Sequence, residues 1–239
     1  MRQVVASGVA QSLLESYLTE NNNVRGIMRH VMVLNAKGGC GKSTLATNIA
    51  VYFAHAGQQV CIADYDPQRS SLDWLAQRPA DLSAISGVAA FDEGLRNVAR
   101  NTDVLVIDAP ARVHGTELNE LVRRAETIIV PVLPSSIDMK ACGHFMAELL
   151  EIGKVSRKQA RLAVIANRVR EYTLIYEELD QYLTKLKVPY LGSLREAQNY
   201  VRAYARGMGV LELPEYLAWP DWKQWKPIGE WLVSKRSQP

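Results

Sequence analysis

An α/β fold, built as an open, mainly parallel β-sheet with helices on both faces, is what this sequence predicts, and three observations carry the prediction. Apolar runs alternate with helical patterns from Val31 to Leu191, as they do in parallel sheets wrapped by crossover helices. The run Val104-Leu105-Val106-Ile107 is continuously apolar, which suits a strand buried on both faces. The third is the glycine-rich stretch from Asn35 to Thr44, set between the first apolar run and the first helical pattern. At 239 residues the chain can bury roughly 70 to 75% of its unfolded surface in one domain.

Residues 28–239 are expected to form that domain. Residues 1–27 read as an N-terminal extension, helical or poorly ordered, with Val5, Val9, Leu13 and Tyr17 at helical spacing before Asn21-Asn22-Asn23. No run of eighteen apolar residues is present, so no membrane-spanning helix is expected. The formal charge of +3 permits nucleic acid or anionic lipid as a partner without requiring either. Cys40, Cys61 and Cys142 are scattered without metal-ligand spacing, which argues for a reducing cytoplasm and against a disulfide framework or a zinc site.

Val31 to Leu34 is the first strand, and Leu45, Ile49 and Phe53 mark the helix after the loop. Between them Gly38, Gly39 and Gly41 let the backbone turn its N–H groups inward around a phosphate, and the helix aims its positive end at the same point. Lys42 would reach the terminal phosphates as a point charge, the Ser43 hydroxyl would ligate magnesium, and Thr44 adds a phosphate contact. The predicted ligand is a polyphosphate with Mg²⁺, held by the loop from Lys37 through Gly38, Gly39, Cys40 and Gly41 with Lys42, Ser43 and Thr44. The common spacing Gly-x-x-x-x-Gly-Lys-[Ser/Thr] fails at its first position, where Ala36 stands, and a second lysine, Lys37, follows.

Gly57 closes the helix and residues 59–63 form the second strand, which delivers Asp64-Tyr65-Asp66-Pro67-Gln68. Open parallel sheets place ligand chemistry at such strand ends. Asp66 can orient, or take a proton from, water attacking the terminal phosphate. Asp64 reads as structural or as a contact to the magnesium waters. A helix over 70–77, a short strand over 85–91 and a surface helix carrying Arg96 and Arg100 follow. The apolar run at 104–107 then delivers Asp108, placed to hold magnesium through a water. Residues 127–133 make the next strand, with Ser136 as the cap of the helix after it. The strand over 162–166 ends at Asn167, whose amide can read an adenine edge or simply serve a turn.

Residues 194–206 read as a helix stopped by Gly207. Ala197, Val201 and Tyr204 share one stripe, while Arg195, Asn199, Arg202 and Arg206 share another. The second stripe is either a solvated face or a cationic ridge that spans phosphates without reading bases. Trp219, Trp222, Trp225 and Trp231 mark the tail. Pro220 and Pro227 are expected to prevent a long helix there and to leave the tryptophans packed on the body rather than on a membrane.

Lys-Gly-Gly-x-Gly-Lys-Ser-Thr, from Lys37 to Thr44, resembles the deviant Walker A loop of the ParA/MinD family of ATPases. Asp-x-Asp-Pro-Gln from Asp64 resembles the family's second motif, and the strand ending at Asp108 its Walker B arrangement. Pro134-Ser135-Ser136-Ile137-Asp138 resembles a segment of plasmid-partition ATPases, and residues 194–210 resemble the C-terminal region of small ParF-like members. Ala109-Pro110-Ala111 departs from the family's more usual Asp-Thr-Pro-Pro. The resemblance covers about residues 28–210. It implies a P-loop NTPase fold and a weak ATPase using ATP and Mg²⁺. It further implies a homodimer in the ATP state, with Lys37 reaching the partner's nucleotide, Asp66 needed for hydrolysis and Asn167 reading adenine. Nonspecific DNA would be held by Arg195, Arg202 and Arg206. A centromere-binding or cargo-adaptor protein would stimulate hydrolysis, and the protein would be cytoplasmic and nucleoid-associated, partitioning a plasmid or other cargo. A MinD-like membrane-associated ATPase, or a positioner of a carboxysome or chemotaxis array, is the alternative.

Overall fold

The computed structural model describes residues 28–239; the N-terminal extension lies outside the described residues. Seven strands, β1 Arg29–Val33, β2 Val60–Asp64, β3 Ile85–Ala89, β4 Val104–Asp108, β5 Thr127–Val132, β6 Arg161–Val169 and β7 Tyr190–Arg195, form one sheet in the order β3-β2-β4-β1-β5-β6-β7. Every pairing is parallel. The chain first builds outward on one side of β1, then crosses to β5 on the other. The crevice at the carboxyl end of β1 is therefore the topological switch point where such sheets bind ligands.

The described residues form nine α-helices: α1 Lys42–His55, α2 Ser70–Ala76, α3 Ala90–Glu93, α4 Gly115–Val122, α5 Ser136–Glu151, α6 Gly153–Ser156, α7 Leu174–Thr184, α8 Gln198–Tyr204 and α9 Glu215–Val233. The two-residue period of β1 sends Val31 and Val33 into an apolar layer with Leu45 and Ile49 of α1, and Met32 and Leu34 into a second layer with Leu118 and Leu149. Helix α1 is buried along most of its length, and Tyr52 on it lies against α9. The approach is close: a Cβ on Gly229 would stand 2.4 Å from the Tyr52 ring.

Four local expectations are corrected. The segment over 194–206 is not one helix: β7 runs through Arg195, the Glu196 N–H still donates to the Val169 carbonyl, and α8 begins only at Gln198. Val201, expected on an apolar stripe, is exposed. Helix α3 stops at Glu93, where Gly94 turns with φ 64°, so Arg96 and Arg100 lie in turns. Ser135 rather than Ser136 caps α5, its Oγ accepting from the Asp138 N–H at 3.1 Å.

The tail also departs from expectation, because α9 continues through Pro220 and Pro227 for 19 residues. Each proline costs about 3 kcal/mol in a helix interior. The carbonyls that lose their donors belong to Tyr216 and Lys223, both exposed to water. Trp222, Trp225 and Trp231 are buried, and each takes roughly 200 Å² out of water, about 5 kcal/mol. The Trp222 and Trp225 indole N–H groups donate to the Val210 carbonyl and the Tyr200 hydroxyl. Packing thus outweighs propensity, and the expected docking of tryptophans on the body holds for these three. Trp219 stays at the surface, with the Lys223 ammonium 4.9 Å from its ring centroid.

Candidate nucleotide site

Since all strands point the same way, β1, β2, β4, β5 and β6 deliver their following residues to one edge. The loop after β1 is tied to β5 by Asn35, whose Nδ2 donates to the Pro131 carbonyl at 2.7 Å and whose Oδ1 accepts from the Lys37 N–H. Gly41 is required on two grounds: its φ is 92°, and a Cβ there would stand 2.4 Å from Asn167 Nδ2. Helix α1 starts at Lys42 with no side-chain cap, so its first N–H groups face the loop as anion donors. Lys42 is buried, and its ammonium crosses the loop to the Lys37 carbonyl at 3.3 Å.

Two carboxylates face each other across β2 and β4, where Asp64 and Asp108 are in register. Asp64 is structural: its oxygens accept from the N–H groups of Asp66, Ser71 and Leu72, and burial raises its carboxyl against these bonds. Asp108 is different. Ser71 Oγ donates to its Oδ2 at 2.5 Å, while its Oδ1 is buried without a partner. Burial pushes the Asp108 carboxyl up to about 7, opposed by the Ser71 and Ser43 hydroxyls and by Lys42, with Asp64 adding to the rise. An uncompensated acid oxygen beside Ser43 is a position that a cation would relieve. Among the described residues no cluster of three or more His, Cys, Asp or Glu could hold a metal alone. That fits magnesium, which keeps waters and phosphate oxygens and takes only one or two protein ligands.

Asp66 lies at the mouth of the same cleft, with one oxygen accepting the Gln68 N–H at 2.9 Å. Asn167 is buried against the loop, its Nδ2 donating to the Cys40 carbonyl at 2.7 Å, which leaves its carbonyl oxygen as the group that could accept from an adenine amine. The cleft, about 1300 Å³, is walled beyond Asn167 by Arg168, Tyr200, Tyr204 and Trp225. Lys37 points elsewhere: its ammonium pairs with Asp138 at 2.8 Å, and Asp138 is held in turn by the Ser135 hydroxyl.

The expected cationic ridge does not exist as a single face. Arg195 lies on β7 and donates twice to Asp221, at 2.7 and 3.0 Å, and Asp221 is fully buried. Asn199 is buried too, donating to the Leu217 carbonyl and to Asp221. Only Arg202 and Arg206 remain exposed. Sequence reasoning missed Ser71, although a hydroxyl opening the helix after Asp66 was a visible signal. It also missed Arg112, whose N–H donates to the Ala36 carbonyl at 2.7 Å and couples the loop after β4 to the glycine loop. Asp221 carries no local signal.

The profile of the CobQ/CobB/MinD/ParA nucleotide binding domain matches residues 31–210. The chain belongs to this family. Its ParA/MinD members are P-loop ATPases, which accounts for the phosphate cradle at β1 and the acid on β4. Maintenance of carboxysome distribution protein A from Halothiobacillus neapolitanus is 28% identical over 187 residues, covering 76% of this chain and 86% of its own. The chromosome-partitioning ATPase Soj of Thermus thermophilus is 25% identical over 193 residues, with 67% and 77% covered. MinD of Aquifex aeolicus shares the fold with a TM-score of 0.66 at 18% identity, over 86% of this chain and 96% of that one. An ATP complex of Cyanothece McdA shares it with a TM-score of 0.63 at 15% identity, over 84% and 96%.

Proposed function

We propose that this protein is a ParA-type positioning ATPase whose ATP-bound dimer holds DNA of any sequence and releases it after slow hydrolysis. The observation that carries the reading is the division of labour between two lysines on one loop. Lys42 lies across the phosphate cradle, whereas Lys37 stands at its rim on Asp138. A rim ammonium that does not serve its own cradle is placed to serve a second one facing it.

The backbone from Gly38 to Thr44 and the Lys42 ammonium bind the phosphates, and Asn167 receives the adenine. Magnesium held by Ser43, and by Asp108 through water, would neutralise phosphate charge. Asp66 orients the attacking water and takes its proton as the bond to the terminal phosphate breaks, giving ADP and phosphate. Pairing of two copies draws Lys37 from Asp138 to the partner's phosphates. Arg202 and Arg206 contact DNA phosphates, and an adaptor or centromere-binding protein speeds turnover, so a cargo follows the nucleoid within the cytoplasm. The cargo is a plasmid or other DNA, or a protein body. The relatives from Halothiobacillus and Gloeobacter named for carboxysome distribution support the latter as much as the partition relatives support the former. Membrane attachment through the tail loses support because three of its tryptophans are buried.

Light scattering of the wild type and of Lys37→Ala with ATP and with ADP tests the reading. ATP should shift only the wild type to a dimer, while the variant still binds a fluorescent ATP analogue. An equal dimer fraction in both would refute the role given to Lys37.

A further inference from the structure

We infer that the pole of the sheet opposite the nucleotide cleft is a DNA-backbone surface, formed by unpaired cations on the segments entering β5 and β6 and on the last turn of the chain. In an all-parallel sheet every strand begins at this pole, so loops far apart in sequence are brought together there. Lys154 donates to the Arg123 carbonyl at 2.9 Å, Arg161 donates from its backbone to the Glu126 carbonyl and from its side chain to the Gln238 carbonyl, and Thr127 donates to the Ser237 carbonyl. These bonds gather Arg123, Arg157, Lys158, Lys235 and Arg236, all exposed, while Arg124 beside them turns its guanidinium over the Tyr65 ring, 5.9 Å from the centroid.

Among the described residues none of these five makes an ion pair. The ion pairs among the described residues involve instead Lys37, Arg69, Arg78, Arg168, Arg170, Arg195 and Lys226, or His55 and His114. Of the acids near the pole, Asp103 and Glu126 accept from the backbone N–H groups of Gln59 and His30, and Glu151, which ends α5, is exposed. The cations outnumber these acids, so a net positive charge is left for an outside partner. Exposed, separate cations match the repeating phosphates of a duplex better than a single small anion. A lipid surface would need apolar side chains to insert, and of the large apolar residues exposed among the described residues only Leu150, at the end of α5, is near this pole.

The consequence for function rests on the proposed pairing of two copies through their nucleotide edges. In that dimer the two cationic poles point away from one another, so one duplex cannot lie on both. The dimer instead links two DNA segments, and each pole, weak alone, gains from the other's attachment. ATP then controls DNA retention through valency, without any change in the pole itself.

The test uses the full chain with the substitutions Arg123→Glu, Arg157→Glu and Lys158→Glu together; Lys154 is left in place because its ammonium holds the Arg123 carbonyl. Binding of a fluorescent nonspecific duplex is followed from low to moderate salt, and bridging is read as capture of a labelled duplex by a bead-bound one, with ATP and with ADP. The slope of log affinity against log salt should fall by about 0.9 for each phosphate no longer neutralised, roughly 2.7 in all. Bridging should fall at least tenfold, while nucleotide binding and the ATP dimer stay unchanged. Arg123→Lys with Arg157→Lys should keep both DNA readouts, which separates charge from folding. A triple variant with the wild-type slope and wild-type bridging overturns the inference. If DNA binding then depends only on Arg202 and Arg206, the proposed function stands without it; a wild type that ignores DNA in both nucleotide states overturns both. Loss of binding to anionic vesicles, with DNA binding intact, would make the occupant of the pole a membrane and overturn the assignment to DNA.

Discussion

Replacing Asp108 with asparagine should stabilise the nucleotide-free protein at neutral and higher pH, and should remove its response to magnesium. The carboxyl is buried and burial pushes it from 3.8 up to about 7. Between these values the unfolded chain has released a proton that the folded chain retains, so stability falls as pH rises, by about 1.4 kcal/mol per pH unit. The loss is absent below the lower value, reaches roughly 4 kcal/mol, and levels off once the pH passes the upper one. Asparagine can still accept from the Ser71 hydroxyl but carries no charge, so Asp108→Asn escapes this loss. In a domain of this size 1 kcal/mol is about 2 to 4 °C in Tm. The Tm advantage of the variant over the wild type should therefore widen by roughly 10 °C between about pH 4 and about pH 8 in buffer with EDTA. Thermal melts followed by circular dichroism measure it. With ATP and magnesium the order should reverse, because only the carboxylate form offers the cation a partner. A Tm difference that does not move with pH would refute the view of Asp108 as an uncompensated buried acid, and a variant still stabilised by adding magnesium to ATP would remove it from the metal.

Asp66→Ala should retain ATP and magnesium while single-turnover phosphate release slows by about 100-fold or more; release at the normal rate would take Asp66 out of the chemistry. Arg195→Ala should leave the fully buried Asp221 with Asn199 as its remaining side-chain partner, costing about 3 to 5 kcal/mol. Its Tm should drop by roughly 10 °C, with little change in DNA retention below that temperature; an unchanged Tm with lost DNA binding would restore the ridge that the fold dissolves. Gly41→Ala forces a side chain onto Asn167 at a φ of 92° and should weaken binding of a fluorescent ATP analogue by at least about tenfold; unaltered titration curves would show that the loop readjusts freely.

Legibility followed locality. The phosphate loop, Asp66 and Asp108 could be read because each is a short stretch at the end of an apolar run, and a parallel sheet carries all such ends to one edge. The start of α8 could not, because Leu191 and Leu194 fit a helical spacing as well as the strand they occupy. Arg195 reads as a free cation until Asp221, 26 residues later, is folded against it. The prolines of α9 gave a correct local argument that lost to the burial of three indoles. Ser71 lay in view, but its meaning depends on Asp108 in the neighbouring strand.

The last helix is a wall of the domain more than an appendage. Its two prolines leave it too weak to stand alone, and Gly229 exists so that its backbone can lie on the Tyr52 ring. A chain cut after the 3₁₀ turn at Val210–Glu212 would expose α1 and β7 to water and would clump or unravel. Point changes at Tyr216 and Trp219, which look outward, are the way to ask what that end of the protein touches.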